Sequence, residues 1–412
     1  MAESKIDLLI GISFICAGLI MLFIPNQVFI LILLAAILLS FGNCILLVLR
    51  FAQKRNKMDL VFSFGSLLFA LFLYNHHFFP QWVMRVGFGA YCIIYSICTF
   101  IQWGIYFWNA NKRRVTTFFH GLAFLFLALF LLFYSDFKSY LIMMLLGVYV
   151  LLLGFRYVND AMMVINPGQN ASWSRKYRLS LPVLLSAFLP DWAISYKKNH
   201  ETKNEKNDKQ EPTNLRLMVH VGPKGFQKVG HITVVFNGMV YSYGNYNKAS
   251  QHLNGTVGNG VFFIAPYEKY LPMILSNENN SIFEYGVKTT AKQDTLIAEK
   301  LQYFKDISTP WHAPIESSSH RLKLLKDDYA NRLKVYADAN FYQIESGRFK
   351  TYWALGVNCA LFIDSVLKAL ESDRLTLQGI FSPGLYFDWL EKEYAKANSP
   401  IISRWFYSMT VK

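Results

Sequence analysis

Long apolar runs alternate with short polar connections through the first part of the chain. Six such runs precede residue 157, at about residues 8–24, 28–49, 60–74, 86–108, 115–134 and 139–155. Most of them approach the roughly 20 residues that an α-helix needs to cross a bilayer. The pattern therefore predicts a bundle of six membrane-spanning helices over residues 1–156.

The six runs pair into three similar helical hairpins. Gly11, Gly65 and Gly121 each open a stretch of Leu, Phe and Ala, at intervals of 54 and 56 residues. The second runs of the pairs contain further glycines, which are Gly42, Gly87, Gly89 and Gly147. Small residues let membrane helices pack closely, so these glycines are candidate helix contacts; the alternative is that glycine is simply common in membrane helices.

Six short helices in three hairpin repeats with tight outer connections resemble the HdeD family of bacterial inner-membrane proteins. The resemblance covers about 150 residues and rests on architecture rather than on a sharp motif. It implies a multi-span protein of the bacterial cytoplasmic membrane with a connection to acid resistance.

Positive charge is concentrated on one side of the predicted bundle. Only Arg85 and Lys138 lie in the connections on the opposite side. Because Lys and Arg are retained on the cytoplasmic side, this bias predicts that both termini and everything after the sixth run are cytoplasmic. The cytoplasmic set is Lys5, Arg50, Lys54, Arg55, Lys57, Lys112, Arg113, Arg114, Arg156, Arg175, Lys176 and Arg178.

Residues 157–213 are predicted to form an interfacial segment and a polar linker. Residues 179–196 are apolar enough to be considered as a seventh span, but two prolines and Asp191 would leave a broken and charged helix in lipid. If this segment did cross, the C-terminal part would lie on the opposite side of the membrane. Residues 197–213 contain almost no apolar side chain and are typical of a solvated linker.

From residue 214 onward, short β-rich runs are mixed with helical ones. The strongest local signal is a pair of β-rich runs joined by Asn237-Gly238, which is typical of a two-residue hairpin turn. The mixture predicts an α+β domain with an antiparallel sheet over residues 214–412. Strands are predicted at 215–221, 231–236, 239–243, 261–264 and 282–287, and helices at about 291–305 and 325–338, after Cys359 and from Ser382.

Cys359 is the one cysteine of this domain, since the other four lie in the apolar runs. It follows an extended stretch at 351–357 and Asn358, a residue that can cap a helix, and it precedes a run with helical spacing of apolar residues. A helix N-terminus stabilises a thiolate and lowers the pKa of a cysteine, which favours a nucleophile. The alternative is a small buried core residue.

His231 is the candidate partner of Cys359, because it begins a strand directly after Gly230. If Asn237-Gly238 forms the turn, residues whose numbers add to 475 face each other across the hairpin. Ser242 then shares the face of His231, one step along the ladder, and Asn245 lies just beyond its end. A polar group there can hold the imidazole in one tautomer, as nucleophilic catalysis requires.

A Gly-His pair at the start of a strand, a hairpin that ends in VYSYG, and a later Asn-Cys pair that opens a helix resemble the circularly permuted NlpC-type branch of the papain-like fold. In that branch the histidine precedes the cysteine, and its members include cysteine peptidases, amidases and lecithin:retinol acyltransferase-like enzymes. The resemblance implies Cys359 as nucleophile, His231 as general base and Ser242 as the third residue. Serine is an unusual choice at that position, so Asn245 is kept as the alternative.

The net charge of +14 is shared by both parts of the chain. Before residue 197, 14 Lys and Arg against 6 Asp and Glu give +8, and after it 27 against 21 give +6. Much of this excess lies between apolar runs, so no nucleic-acid partner is expected. His120 is the one histidine or charged residue within the runs, which argues against an ion or proton pathway.

No cofactor or metal is expected. A single soluble cysteine excludes a multi-cysteine zinc site, and His220 and His252 stand alone in the sequence. The adjacent His76 and His77 have no evident third ligand. The glycines at 255, 258 and 260 lack the Lys and the Ser or Thr of a phosphate loop.

Two functions are therefore compatible with the sequence. The first is a membrane-anchored cysteine hydrolase or acyltransferase that acts on an amide or ester of a peptide, a lipid or a lipidated protein. The second is a membrane stress-response protein whose papain-like domain binds a partner without catalysis. The lipid bilayer is the expected partner in both, and neither predicts an oligomeric state.

Overall fold

A computed structural model describes residues 2–76, 78–134, 139–165, 213–222, 230–317, 321–367, 383–394 and 399–408. The proposed interfacial segment at 179–196 and nearly all of the linker at 197–213 lie outside these residues. The chain divides into two compact units. Among the described residues, one contains those within 2–100 and 116–158, and the other contains 101–115 together with those from 159 onward.

Six helices occupy the first part of the chain, and all six are long and apolar enough to cross a membrane. The six predicted helices are thus confirmed, although several extend beyond the apolar runs. The last one continues to Ile165, so the predicted boundary at residue 156 falls inside a helix. The helices are α1 Ala2–Phe23, α2 Pro25–Lys54, α3 Lys57–Asn75, α4 Phe79–Trp108, α5 Arg114–Phe133 and α6 Ser139–Ile165.

Four glycines bring the backbones of α1 and α6 together. A Cβ atom on Gly11 would lie 2.6 Å from the backbone nitrogen of Val158, and one on Gly18 would lie 2.8 Å from the carbonyl oxygen of Gly147. Gly154 faces α1 in the same way as Gly147, one heptad further along α6. The glycine spacing of seven residues on both helices places these contacts two turns apart on one face, where small residues permit close packing.

The other glycines of the proposed repeats behave differently from one another. Gly89 and Gly121 contact side chains of neighbouring helices, Leu132 and Phe100 respectively. By contrast, a Cβ atom at Gly42, Gly65 or Gly87 would meet nothing within 4 Å. Close packing at glycine is therefore confirmed at some of the predicted positions and absent at others.

Some polar side chains within the helices contact polar groups of neighbouring helices. Nε2 of His120 lies 3.3 Å from the hydroxyl of Tyr95, so this histidine is hydrogen-bonded inside the bundle. Because α3 starts at Lys57, it also carries Asp59, which is buried and lies 3.6 Å from Nε of Arg50. The sequence pattern missed this acidic residue because it precedes the apolar run.

An eight-stranded antiparallel sheet forms the centre of the C-terminal domain, in the order β10-β6-β1-β2-β3-β5-β8-β7, and β4 pairs with β9 separately. All five predicted strands are present. The strands are β1 Leu215–Val221, β2 His231–Phe236, β3 Met239–Gly244, β4 Val257–Asn259, β5 Val261–Pro266, β6 Ser281–Val287, β7 Ser308–Trp311, β8 Asn340–Ile344, β9 Thr351–Trp353 and β10 Ile401–Tyr407.

Helices pack around this sheet, and the predicted helices near 291, after Cys359 and near 383 are present. The helix predicted at 325–338 is two helices, because Asp328 interrupts it and caps the second one by accepting from the backbone N–H of Ala330. The remaining helices are α7 Tyr267–Ser276, α8 Ala291–Asp306, α9 Arg321–Asp327, α10 Tyr329–Ala337, α11 Cys359–Leu367 and α12 Pro383–Tyr394.

The sequence pattern missed α7, the short strand β4, the edge strands β7 and β10, and β8, which lies between β7 and β5. Pro272 lies inside α7 and Pro310 lies inside β7. Proline removes a backbone donor and argues against both a helix interior and a central strand, although an edge strand tolerates it.

The turn between β2 and β3 is of the predicted type. Asn237 and Gly238 both have positive φ, at 48° and 74°, as a primed two-residue turn requires. Val234 pairs with Tyr241 and Phe236 with Met239, so the predicted hairpin register is confirmed.

Each face of the sheet carries its own hydrophobic core. Ile232, Val234 and Tyr243 belong to one core, which also contains Cys359 and much of α11. Val235 and Tyr246 belong to the other core, together with parts of α7 and α10. Successive residues of β2 therefore alternate between two buried environments.

We expect Gly154→Leu to destabilise the helical bundle, because the new side chain would collide with the backbone of α1 at Ile15. Overpacking of this kind costs about 1–3 kcal/mol. Thermal unfolding of the full chain in detergent should show a lower Tm. Gly65→Leu is the matched control, since the space beside Gly65 is open. An equal loss of Tm in the two variants would contradict close packing at Gly154.

Candidate thiol site

Cys359 is the first residue of α11, and Asn358 caps this helix. Oδ1 of Asn358 accepts a hydrogen bond of 3.2 Å from the backbone N–H of Leu361, while its Nδ2 donates to the carbonyl of Ala354 over 2.9 Å. The amide thus satisfies one free N–H of the first turn and ties the helix to the preceding turn. This confirms the predicted helix start at Cys359.

The thiol of Cys359 is buried, with 3% of the residue exposed. Burial raises its pKa to about 11, and this outweighs the opposing effect of hydrogen bonds with the backbone of Ile232, Ala360 and Cys359 itself. The expected lowering of the pKa by the helix N-terminus is therefore wrong as a net result. The helix start does favour the thiolate, but removal of the sulfur from water disfavours it more.

His231 is the first residue of β2 and follows Gly230, which has a φ of +92°. A Cβ atom at position 230 would lie 3.0 Å from the carbonyl oxygen of His220, so both the backbone angle and the close approach favour glycine. Nε2 of His231 lies 2.7 Å from Oγ of Ser242. The hairpin therefore brings together His231 and Ser242 as its register predicts.

The hydrogen-bonded chain continues from Ser242 to Tyr246. The hydroxyl groups of Ser242 and Tyr246 are 2.8 Å apart, and both residues are buried. If Nε2 of His231 carries a proton, it donates to Ser242, which donates to Tyr246; Nδ1 is then the basic nitrogen. Among the described residues, Nδ1 makes no hydrogen bond.

Asn245, the alternative third residue, does not contact His231. Its Nδ2 donates to the carbonyl oxygens of Gly255 and Val257, each over 3.2 Å. The side chain therefore holds the turn before β4. Of the two candidates for orienting the imidazole, the structure places Ser242 beside it and Asn245 elsewhere.

A second histidine lies opposite His231 in the sheet. His220 of β1 is the cross-strand partner of His231, and the ring centroids are 6.2 Å apart. Its Nε2 lies 2.9 Å from Oγ1 of Thr233, and burial lowers its pKa well below the ordinary value. The sequence predicted that His220 stands alone, but the structure places it beside His231 and Thr233. Nine residues separate the end of β1 from the start of β2, so the sequence offered no register that could have paired the two histidines.

The thiol of Cys359 and the imidazole of His231 lie in different surroundings. Cys359 lies in the core of Ile232, whereas His231 is bonded to Ser242 and, through it, to Tyr246 in the other core. Burial lowers the pKa of His231 to about 4. No hydrogen bond joins the sulfur to the imidazole in the described part of the chain. The resting site thus combines a protonated thiol with a neutral imidazole near neutral pH.

Chemically, the site combines a protonated thiol at the start of α11 with a neutral imidazole at the start of β2. Within the described residues, no group of three or more His, Cys, Asp or Glu side chains could hold a metal ion. No family model, curated protein or solved structure matches this chain.

We expect the alkylation of Cys359 to increase about tenfold per pH unit up to a midpoint near pH 11, because only the thiolate reacts and burial raises the thiol pKa. Iodoacetamide labelling of the full chain in detergent, followed at the Cys359 peptide by mass spectrometry, measures this curve. His231→Ala should leave the midpoint unchanged, since the imidazole is neutral across this range. Rapid labelling near pH 6 that depends on His231 would instead indicate a thiolate–imidazolium pair.

Proposed function

We propose that the C-terminal domain is a thiol-dependent acyl hydrolase or acyltransferase with a circularly permuted papain-like arrangement. The observation that carries this proposal is the position of Cys359 at a capped helix start, where the thiol is hydrogen-bonded to the backbone of Ile232. The residue before Ile232 is His231, and Ser242 orients its imidazole. The order of histidine strand and cysteine helix along the chain is that of the permuted NlpC-type branch. The antiparallel sheet with α11 against it is compatible with that fold.

In the proposed mechanism, Sγ of Cys359 attacks the carbonyl carbon of an amide or ester. His231, which is neutral because burial lowers its pKa to about 4, accepts the thiol proton as the S–C bond forms. The backbone N–H groups at the start of α11 stabilise the oxyanion. The imidazolium then protonates the departing amine or alkoxide as the C–N or C–O bond breaks. Water or another acceptor cleaves the thioester and restores the thiol.

The tether to the membrane favours a substrate at or near the bilayer, such as a lipid, a lipidated protein or a cytoplasmic peptide. We place the domain on the cytoplasmic side of a bacterial cytoplasmic membrane. Residues 101–115 support this placement because they belong to the same compact unit as the thiol domain and include the basic residues Lys112, Arg113 and Arg114. Basic connections of this kind are retained in the cytoplasm.

A second function is favoured by the burial of the thiol. With 3% of Cys359 exposed and its pKa raised to about 11, the domain also fits a binding module that has lost catalysis. In that case the chain is a multi-span stress-response protein, as the HdeD resemblance implies, and the C-terminal domain recruits a partner.

Acyl trapping distinguishes the two functions. We expect the full chain, incubated in detergent with p-nitrophenyl acetate or butyrate, to gain one acyl group on Cys359, measured by intact-mass and peptide mass spectrometry. Cys359→Ser should abolish this adduct. His231→Ala should slow it about 100-fold or more because the general base is lost.

Ser242→Ala should slow acylation by roughly tenfold, as expected for the loss of a single hydrogen bond to the imidazole. Cys16→Ser, which changes an exposed cysteine of α1, serves as the control and should leave acylation unchanged. Absence of an adduct at Cys359, or an adduct formed equally well without His231, would contradict the catalytic function and favour the binding module.

A reporter fused after Lys412 tests the sidedness. Green fluorescent protein should fluoresce and alkaline phosphatase should be inactive at this position, because the charge bias keeps the C-terminus in the cytoplasm. The inverse result would mean that a further segment crosses the membrane and that the domain acts outside the cytoplasm. A fusion after Asn75, between α3 and α4, provides the control of opposite sidedness.

A further inference from the structure

Residues 101–115 comprise the last turns of α4, the connection to α5 and the first residues of α5. They form one compact unit with the thiol domain rather than with the rest of the helices. Tyr106 of α4 is 4% exposed and belongs to the same hydrophobic core as Cys359. A tyrosine on a membrane-length helix thus contributes directly to the packing of the candidate site.

Two side chains of this segment bind the loop between β8 and β9 and the first residue of β9. The hydroxyl of Tyr106 accepts a hydrogen bond of 3.0 Å from Nε of Arg348, whose guanidinium lies 5.9 Å from the centre of the same ring. Asn109 and Thr351 form a reciprocal pair, in which Nδ2 donates to Oγ1 over 3.2 Å and Oγ1 donates to Oδ1 over 3.4 Å. The bond from Arg348 to Tyr106 is charge-assisted, and the pair between Asn109 and Thr351 is made by an amide. Both kinds of hydrogen bond are directional.

The bound loop leads directly into the cysteine helix. The carbonyl of Phe349 accepts a hydrogen bond of 2.9 Å from Tyr243, and the Phe349 ring packs edge-on against Phe362 of α11 at 5.7 Å. After β9, the carbonyl of Ala354 accepts from the capping side chain of Asn358. Residues 348–358 therefore connect the segment at 101–115 with the first turn of α11 through continuous contacts.

We infer that Tyr106 and Asn109 are positioning residues for the nucleophile. They clamp residues 348–351, and this loop in turn keeps Cys359 at the start of α11 covered and aligned. The end of a membrane helix thus controls access to the thiol. The inference rests on the proposed role of Cys359 in acyl transfer, but it makes a separate statement about the exposure of the thiol.

Alkylation of Cys359 in the full chain tests the clamp without requiring turnover. We expect Tyr106→Phe and Thr351→Val each to raise the iodoacetamide labelling rate of the Cys359 peptide roughly 3- to 10-fold, the effect of one lost hydrogen bond on a local opening equilibrium. Thr351→Ser retains the hydroxyl and should keep the original rate. Tyr336→Phe, an exposed tyrosine of α10, is the matched control and should have no effect.

A double-mutant cycle identifies the contact itself. If Tyr106 acts through Arg348, the Tyr106→Phe/Arg348→Leu variant should label no faster than Arg348→Leu alone. With p-nitrophenyl butyrate, Tyr106→Phe should lower the acylation rate at saturating ester and leave the half-saturating concentration within about twofold, because the clamp aligns the nucleophile rather than binding the ester.

Unchanged Cys359 labelling in both Tyr106→Phe and Thr351→Val would overturn the clamp, and so would failure of Thr351→Ser to restore the rate. Loss of acylation in the wild type together with the expected labelling changes would instead overturn the catalytic function and leave the clamp standing. The two proposals therefore fail separately.

Discussion

The tight turn at Asn237-Gly238 is the constraint on which the candidate site depends. A two-residue turn with positive φ at both positions allows one register of β2 against β3. That register puts Ser242 within 2.7 Å of His231. A slip of one residue would move every side chain of the strand to the opposite face. The imidazole of His231 would then lose Ser242 and face the core that contains Cys359.

Burial explains the electrostatics of the site better than its local charges do. The backbone groups at the helix start and the backbone of Ile232 favour a thiolate, yet burial raises the thiol pKa to about 11. The same loss of water lowers the pKa of His231 to about 4. Ser242 can orient the imidazole in such an environment because its hydroxyl is also hydrogen-bonded to Tyr246. The hydroxyl groups of Ser242 and Tyr246 therefore both have a partner inside the domain.

The two compact units are packed by different kinds of residue. Within the helical unit, the glycines of α1 and α6 remove side-chain bulk so that backbones can meet, since apolar lipid supplies no hydrophobic force between helices. Within the other unit, large aromatic side chains on both faces of the sheet fill the cores, and Tyr106 joins one of them. The residues at 101–115 are therefore better understood as part of the domain that contains the thiol than as an ordinary connection between helices.

The sequence by itself determined the six membrane-length helices, the hairpin with its register, the helix start at Cys359 and the contact of Ser242 with His231. These features depend on local periodicity and on turn or capping chemistry, which neighbouring residues encode. Only the tertiary structure decided the rest. His220 meets His231, and Tyr106 meets Arg348, through contacts between segments distant in the chain. The pKa of Cys359 depends on how completely other elements exclude water from it, a property that no local pattern contains.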